Sequence, residues 1–213
     1  MTTNLLDPGY DRTSALLLID VQNDFADPAG NLSVADGDAI VPYVNGQIAA
    51  ALAGGAFVAY TQDWHPPSTP HFAKDGGPWP VHCVAGTWGA AFHPALTADA
   101  GPSVRKGANG EDGYSGFTMR DPLKGATVPT ELDGLLRGRG TRCVVVCGLA
   151  TDYCVRATAL DAAALAYQAS VLVDGVRAVD LQPGDGASAL AELVEAGVEL
   201  VEPSVGATPG GVA

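Results

Sequence analysis

Val144-Val145-Val146-Cys147-Gly148-Leu149-Ala150-Thr151-Asp152-Tyr153-Cys154-Val155-Arg156-Ala157-Thr158 reads as a buried β-strand, a tight turn and the start of a helix. Three consecutive valines are too β-branched, and their run too short, for a helical segment. Gly148 interrupts the run, and Thr151 or Asp152 then offers a side-chain oxygen to cap the free N–H groups of the helix's first turn. Val155, Ala159, Ala162, Ala163, Leu165 and Ala166 continue as an alanine-rich helix to about Tyr167. Cys154 falls in the first turn of that helix, where the positive end of the dipole favours a thiolate. Open α/β sheets bind ligands at the carboxyl ends of their strands. Position and chemistry together make Cys154 a candidate nucleophile, against the plainer reading of a free cysteine that fills space.

The totals bound the answer. A chain of 213 residues is long enough for one well-buried domain and short for two. With 47% hydrophobic and 16% charged residues it is globular. A formal net charge of −13 argues against a nucleic-acid partner or an anionic membrane surface, both of which attract Lys and Arg. No apolar run has the length of a membrane-spanning helix. Asp7 and Asp11 precede a very short apolar run, Ala15 to Ile19, so the beginning of the sequence does not read as a secretory signal. Cys83, Cys143, Cys147 and Cys154 form no CxxC pair and no dense disulfide framework. The expectation is an acidic, cytoplasmic domain.

Outward from the opening stretch, the pattern alternates. Residues 1–13 are polar and read as a loosely attached arm, and residues 203–213 as a flexible tail; 14–202 form the domain. Ser14 to Asp20 is a central strand ending in a carboxylate, and Gln22 to Phe25 a loop. Ile40, Val41, Val44, Ile48 and Leu52 recur at helical spacing until Gly54-Gly55. Ala56 to Thr61 is a second strand. Gln62 to Gly89, rich in proline, glycine, tryptophan and histidine, is too long for an ordinary connection and reads as functional. Ser103 to Lys106 is a short strand ending in a cation, and Gly107 to Gly125 a glycine-rich stretch without regular structure. Glu131 to Arg139 is a helix, Ser170 to Val173 a strand, Ala187 to Glu195 a helix and Val198 to Val201 a last strand. Buried, non-alternating strands between helices predict a single-domain α/β fold: three αβα layers around a doubly wound, mostly parallel sheet.

Two constellations carry chemistry. Asp20, Lys106 and Cys154 each stand at or just past a strand end, and in a parallel sheet those ends share one edge. A carboxylate, an ammonium and a thiol can perform acyl transfer: the carboxylate takes the thiol proton and later protonates the leaving group, and the cation makes both anions tolerable. Each alone is commonly structural; their joint occurrence is what points to a site. The second set is Asp63, His65, His71 and His82. One carboxylate and three imidazoles suit one divalent transition metal ion such as zinc, iron or manganese, although the spacing matches no standard structural zinc signature. His93, in Phe92-His93-Pro94, reads as a hydrogen-bonded structural residue. Phe25, Trp79 and Tyr114 can wall a flat aromatic pocket or simply pack for stability.

On these residues the sequence resembles the nicotinamidase/pyrazinamidase group of isochorismatase-like cysteine hydrolases. The matching motifs are IDVQNDF (Ile19 to Phe25), Asp63-Trp64-His65 with His71, WPVHCVAGTWGAAFHP (Trp79 to Pro94), KGANGEDGYSGF (Lys106 to Phe117) and VCGLATDYCVRATALDA (Val146 to Ala162). They span nearly the whole chain in the family's order. The resemblance implies a catalytic triad of Asp20, Lys106 and Cys154. It implies Asp63, His65 and His82 as metal ligands, with His71 in the place of an additional ligand. It further implies a cis peptide between Leu149 and Ala150, an oxyanion hole from the Ala150 and Cys154 amides, and a substrate pocket of Phe25, Trp79, Tyr114, Leu149, Ala150 and Tyr153.

The implied activity is hydrolysis of nicotinamide, or a related pyridine or pyrazine carboxamide such as pyrazinamide, to the acid and ammonia through a thioester, in NAD salvage. The metal's implied task is to orient the ring. Small-molecule substrate is the only partner implied; monomer and homo-oligomer stay open. Two other readings compete: an amidase of the same superfamily acting on a carbamoyl or ureido compound, whose members generally lack the Asp–His set, and a non-catalytic metal or redox sensor. An isochorismate hydrolase is disfavoured, because that chemistry needs no cysteine nucleophile.

Overall fold

The apolar runs become strands, and the central ones are buried on both faces. In a computed structural model, which describes residues 9–122 and 124–202, six of them form one parallel sheet in the order β3-β2-β1-β6-β7-β8. They are β1 (Ser14–Ile19), β2 (Phe57–Asp63), β3 (Ser103–Lys106), β6 (Cys143–Leu149), β7 (Gln168–Arg177) and β8 (Glu199–Val201). Successive residues of a strand point to opposite faces, and both faces are dry. Leu16 and Leu18 of β1 meet Val44, Ile48 and Ala51 of α2 (Val41–Gly54) on one side. Leu17 and Ile19 meet the other core. There they join Leu132 and Leu136 of α3 (Leu132–Gly138), Ala159 and Ala162 of α4 (Arg156–Ala164) and Leu193 of α5 (Asp185–Glu195). Three layers around a doubly wound parallel sheet result, as expected.

Several local expectations need correction. Gln22 to Phe25 is not all loop: α1 (Asn23–Ala26) is a single helical turn. Leu52 repeats at helical spacing, yet it is half exposed while Val44 and Ile48 are buried, so the apolar stripe of α2 ends before it. Gly107 to Gly125 is not structureless. Thr118–Arg120 (β4) pairs antiparallel with Thr127–Pro129 (β5) in a small ribbon. Neither Thr151 nor Asp152 caps the helix after β6. Thr151–Val155 is a π-helical turn with no side-chain cap, and α4 begins only at Arg156 and ends at Ala164. The Asp152 carboxylate instead accepts the backbone N–H groups of Val179 (3.0 Å) and Asp180 (2.9 Å), tying the turn to the segment after β7.

Residues 9–13 of the arm are described, and one of them packs on the domain. Tyr10 is buried, and its hydroxyl donates to Gln47 Oε1 at 3.0 Å. The expected tail at 203–213 and residues 1–8 of the arm lie outside the described residues. No helix among the described residues is long and apolar enough to cross a membrane.

Sheet register places the chemistry. Asp63 and Lys106 are direct neighbours across β2 and β3. Gly148 sits beside Ile19 across β6 and β1, which brings the segment after β6 next to Asp20. Gly148 has a φ of 122°, and a Cβ there would overlap the Ile19 backbone carbonyl, so only glycine lets the two strand ends approach this closely.

Candidate active site

Asp20, Lys106 and Cys154 come together at the carboxyl edge of the sheet. Lys106 Nζ donates to Asp20 Oδ2 at 2.7 Å and lies 3.5 Å from Cys154 Sγ. The same ammonium is 2.9 Å from Asp63 Oδ1, so it stands between the carboxylates of the two constellations. One oxygen each of Asp20 and Asp63 and the sulfur of Cys154 lie within 4.8 Å of one another. All four side chains are buried.

That burial sets the protonation states. Burial pushes Asp20 above the ordinary carboxylate range; Lys106 opposes this and Asp63 reinforces it. Burial pulls Lys106 down, but the two adjacent carboxylates outweigh it and hold the ammonium charged well beyond its usual range. For Asp63 the burial penalty is overcome by Lys106, His65 and His82, and the carboxyl stays well below its usual value. The Cys154 thiol is pushed well up by burial against the pull of Lys106. This opposes the preference of the helix dipole for a thiolate. Burial thus favours the thiol form, with the Asp20 carboxylate close by.

The second constellation also assembles. His65, His71 and His82 each offer a ring nitrogen within 4.8 Å of the others. Asp63 Oδ2 lies 3.7 Å from His65 Nε2 and 3.8 Å from His82 Nε2. His71 Nδ1 is 2.8 Å from Asp112 Oδ1. His82 Nδ1 is 2.7 Å from the Pro80 carbonyl oxygen. In each case the Nε2 is left for another partner. Both ring nitrogens of His65 lack a hydrogen-bond partner among the described residues, although the residue is only 2% exposed. Buried polar atoms are rarely left so. Burial holds His82 down at about 4 against the attraction of Asp63, so its imidazole is neutral near pH 7, the form a metal requires. This donor set fits one divalent metal ion, with three imidazoles and a carboxylate.

Between the two constellations opens a pocket lined by Phe25, Trp79, Tyr114, Leu149, Ala150 and Tyr153, onto which Cys154, Asp63, His71 and His82 also face. Trp79 Nε1 donates to the Tyr114 hydroxyl at 3.0 Å. The Tyr153 ring packs edge-on against both, at 5.0 and 5.2 Å. The Leu149–Ala150 peptide is cis. His93 stays outside the pocket, accepting the Ala95 N–H at 3.3 Å.

Several supporting residues escaped the sequence reading. Thr61 donates to Asp20 Oδ1 at 2.6 Å. Gln22 holds the last residue of β2 from both sides, its Nε2 donating to the Asp63 carbonyl and its Oε1 accepting the Asp63 N–H, each at 2.8 Å. Asp24 accepts the Cys83 N–H at 2.6 Å and the Asn31 N–H at 3.0 Å, joining the loop of Phe25 to that of His82. Asp112 backs His71. Leu32, Val34 and Val179 complete the pocket wall. Thr61 alone had a usable signal, lying two residues before Asp63 on the same face of a strand.

Comparison with known proteins agrees with this geometry. Residues 14–202 match the isochorismatase domain family. The chain is 41% identical over 203 residues to the nicotinamidase of Escherichia coli (strain K12), covering 87% of this chain and 93% of that protein. Its structure is similar to the pyrazinamidase of Pyrococcus horikoshii in complex with zinc (TM-score 0.79, 39% identity, 89% of this chain and 99% of that one). It is also similar to PnC1 from L. infantum in complex with nicotinate (TM-score 0.82, 36% identity, 92% and 96%). A domain match over nearly the whole described chain, on a sheet that carries the motifs in the family's order, means that this protein belongs to the isochorismatase family.

Proposed function

We propose that the protein is a metal-dependent cysteine amidohydrolase that converts nicotinamide to nicotinate and ammonia, with pyrazinamide as an alternative substrate, and so serves NAD salvage. The observation that carries this reading is Lys106 Nζ bridging Asp20 (2.7 Å) and Cys154 (3.5 Å), with Cys154 lining an aromatic pocket. The E. coli nicotinamidase and the nicotinate complex of the L. infantum protein support the choice of a pyridine carboxamide.

In the proposed reaction the flat ring lies among Phe25, Trp79, Tyr114 and Tyr153, with its carboxamide toward Cys154. Asp20 removes the thiol proton, and the sulfur attacks the carboxamide carbon. The amides of Ala150 and Cys154 stabilise the oxyanion, an effect of about 3–4 kcal/mol per donor. Protonated Asp20 then gives its proton to the departing nitrogen; the C–N bond breaks, ammonia leaves and a thioester remains. A water deprotonated by Asp20 attacks the same carbon, the C–S bond breaks, and the sulfur recovers its proton from Asp20. Lys106 stays charged throughout and offsets whichever neighbour carries the anion.

Asp63, His65, His71 and His82 would hold the metal. A bound divalent ion supplies a Lewis-acidic anchor for the ring, and the zinc complex of the P. horikoshii relative supports zinc over iron or manganese here. Cys154→Ala is expected to abolish ammonia release from nicotinamide while the zinc content of the purified protein stays that of the wild type. Retained turnover would remove Cys154 as the nucleophile.

A further inference from the structure

The three histidines of the cluster differ in what lies behind them. His82 Nδ1 faces a neutral carbonyl, that of Pro80, at 2.7 Å, and His65 has no hydrogen-bond partner on either nitrogen among the described residues. Among the described residues, only His71 of the three is backed by a hydrogen-bonded carboxylate, Asp112 Oδ1 at 2.8 Å from Nδ1. That carboxylate is itself fixed. Oδ1 accepts the Gly113 N–H at 2.8 Å, and Oδ2 accepts Arg120 Nη2 at 2.9 Å. The backbones of Asp112 and Arg120 pair as well, Asp112 N–H donating to the Arg120 carbonyl at 2.8 Å and Arg120 N–H to the Asp112 carbonyl at 2.5 Å. Arg120 is the last residue of β4, so the β4–β5 ribbon braces the carboxylate.

We propose that Asp112 is a positioning residue for the metal centre: it holds His71 as the tautomer with hydrogen on Nδ1, leaving Nε2 as the ligand, and sets the ring's orientation through the β4–β5 ribbon. This rests on the reading of His71 as a ligand. A carboxylate behind a ligating imidazole fixes its ring and raises its basicity, and loss of such a partner typically costs ten- to a hundredfold in metal affinity. Asp112 touches neither the pocket nor the reacting atoms, so its effect should appear in metal binding before it appears in chemistry.

The test is zinc affinity of the metal-stripped full chain, measured by competition with a chromophoric chelator for wild type, Asp112→Ala, Asp112→Asn, His71→Ala and the double variant Asp112→Ala/His71→Ala. Expected are a loss of about ten- to a hundredfold for Asp112→Ala, a smaller loss for Asp112→Asn, which keeps an acceptor oxygen, and no further loss when Asp112→Ala is added to His71→Ala. Thermal melting of the stripped proteins checks folding, and Asp112→Asn carries the test if the alanine variant does not fold. Wild-type affinity in Asp112→Ala, with His71→Ala weakened, would overturn the proposal and spare the ligand reading. An undiminished loss in the His71→Ala background would overturn it too, since Asp112 would then act through the fold. Unchanged affinity in His71→Ala would overturn both the ligand reading and the proposal.

Discussion

Asp20 and Asp63 are two buried carboxylates with one ammonium between them, and their charges are tolerable only because Lys106 Nζ reaches both, at 2.7 and 2.9 Å. Lys106→Met would leave both carboxylates without that cation. Breaking a buried pair in this way typically costs about 3–5 kcal/mol, so the denaturation midpoint should fall markedly and turnover should vanish. An unchanged midpoint would contradict the assigned charges. The hydroxyl of Thr61 works on the same carboxylate in a gentler way. Asp20 is raised by burial and lowered by Lys106 and by the Thr61 hydrogen bond. In the proposed reaction the reacting form is the ionised carboxylate, so removing a donor to it must raise the pH at which it ionises. A hydrogen bond to a charged group is worth about 1.5–3 kcal/mol, and 1.36 kcal/mol corresponds to about one pH unit. Thr61→Val should therefore move the acid limb of kcat/KM for nicotinamide hydrolysis upward by about one to two units. A limb that stays in place would remove Asp20 as the base. These partners were hard to read in the sequence: Asp20, Lys106 and Cys154 mark themselves by standing at strand ends, whereas Thr61, Gln22 and Asp112 act through another residue.

At the level of elements, legibility followed burial. Ser103–Lys106 has the bounds expected of it and Ser14–Ile19 ends one residue short of expectation, whereas Cys143–Leu149 runs on through Gly148, where an interruption is expected; Ser14–Ile19 and Cys143–Leu149 are legible because dry parallel strands are written as apolar runs. The β4–β5 ribbon was missed because its three-residue strands are partly exposed and carry no such run. The turn at Thr151–Val155 was misread as an ordinary capped helix start; its side chains bond elsewhere, Asp152 to Val179 and Asp180. The connection after β3 shows how tightly strand ends and site are coupled. Gly107 has a φ of 78°, and a Cβ there would lie 2.6 Å from His65 Nδ1. Gly107→Ala should combine backbone strain of about 1–3 kcal/mol with displacement of the His65 ring, lowering both the melting temperature and zinc affinity. Wild-type zinc affinity in that variant would place His65 outside the metal centre.

For the molecule as a whole, a parallel sheet with both faces covered leaves its carboxyl edge as the place where loops meet, and there the two constellations share a boundary. Lys106 pairs with Asp20, beside Cys154, on one side and with Asp63, beside the histidine cluster, on the other. The resemblance in sequence implied both sets but not this joint, because a lysine's second partner is a matter of register between β2 and β3. Acidic composition and the motifs pointed to a small-molecule enzyme, and the aromatic pocket beside Cys154 has the flat walls that such a substrate requires. The most direct test of the account is ammonia release from nicotinamide by the purified protein, before chelation, after it, and after zinc is added back. Release should fall on chelation and return with zinc. No release from the zinc-loaded protein would contradict the proposed reaction, and release indifferent to chelation would contradict the metal's part in it.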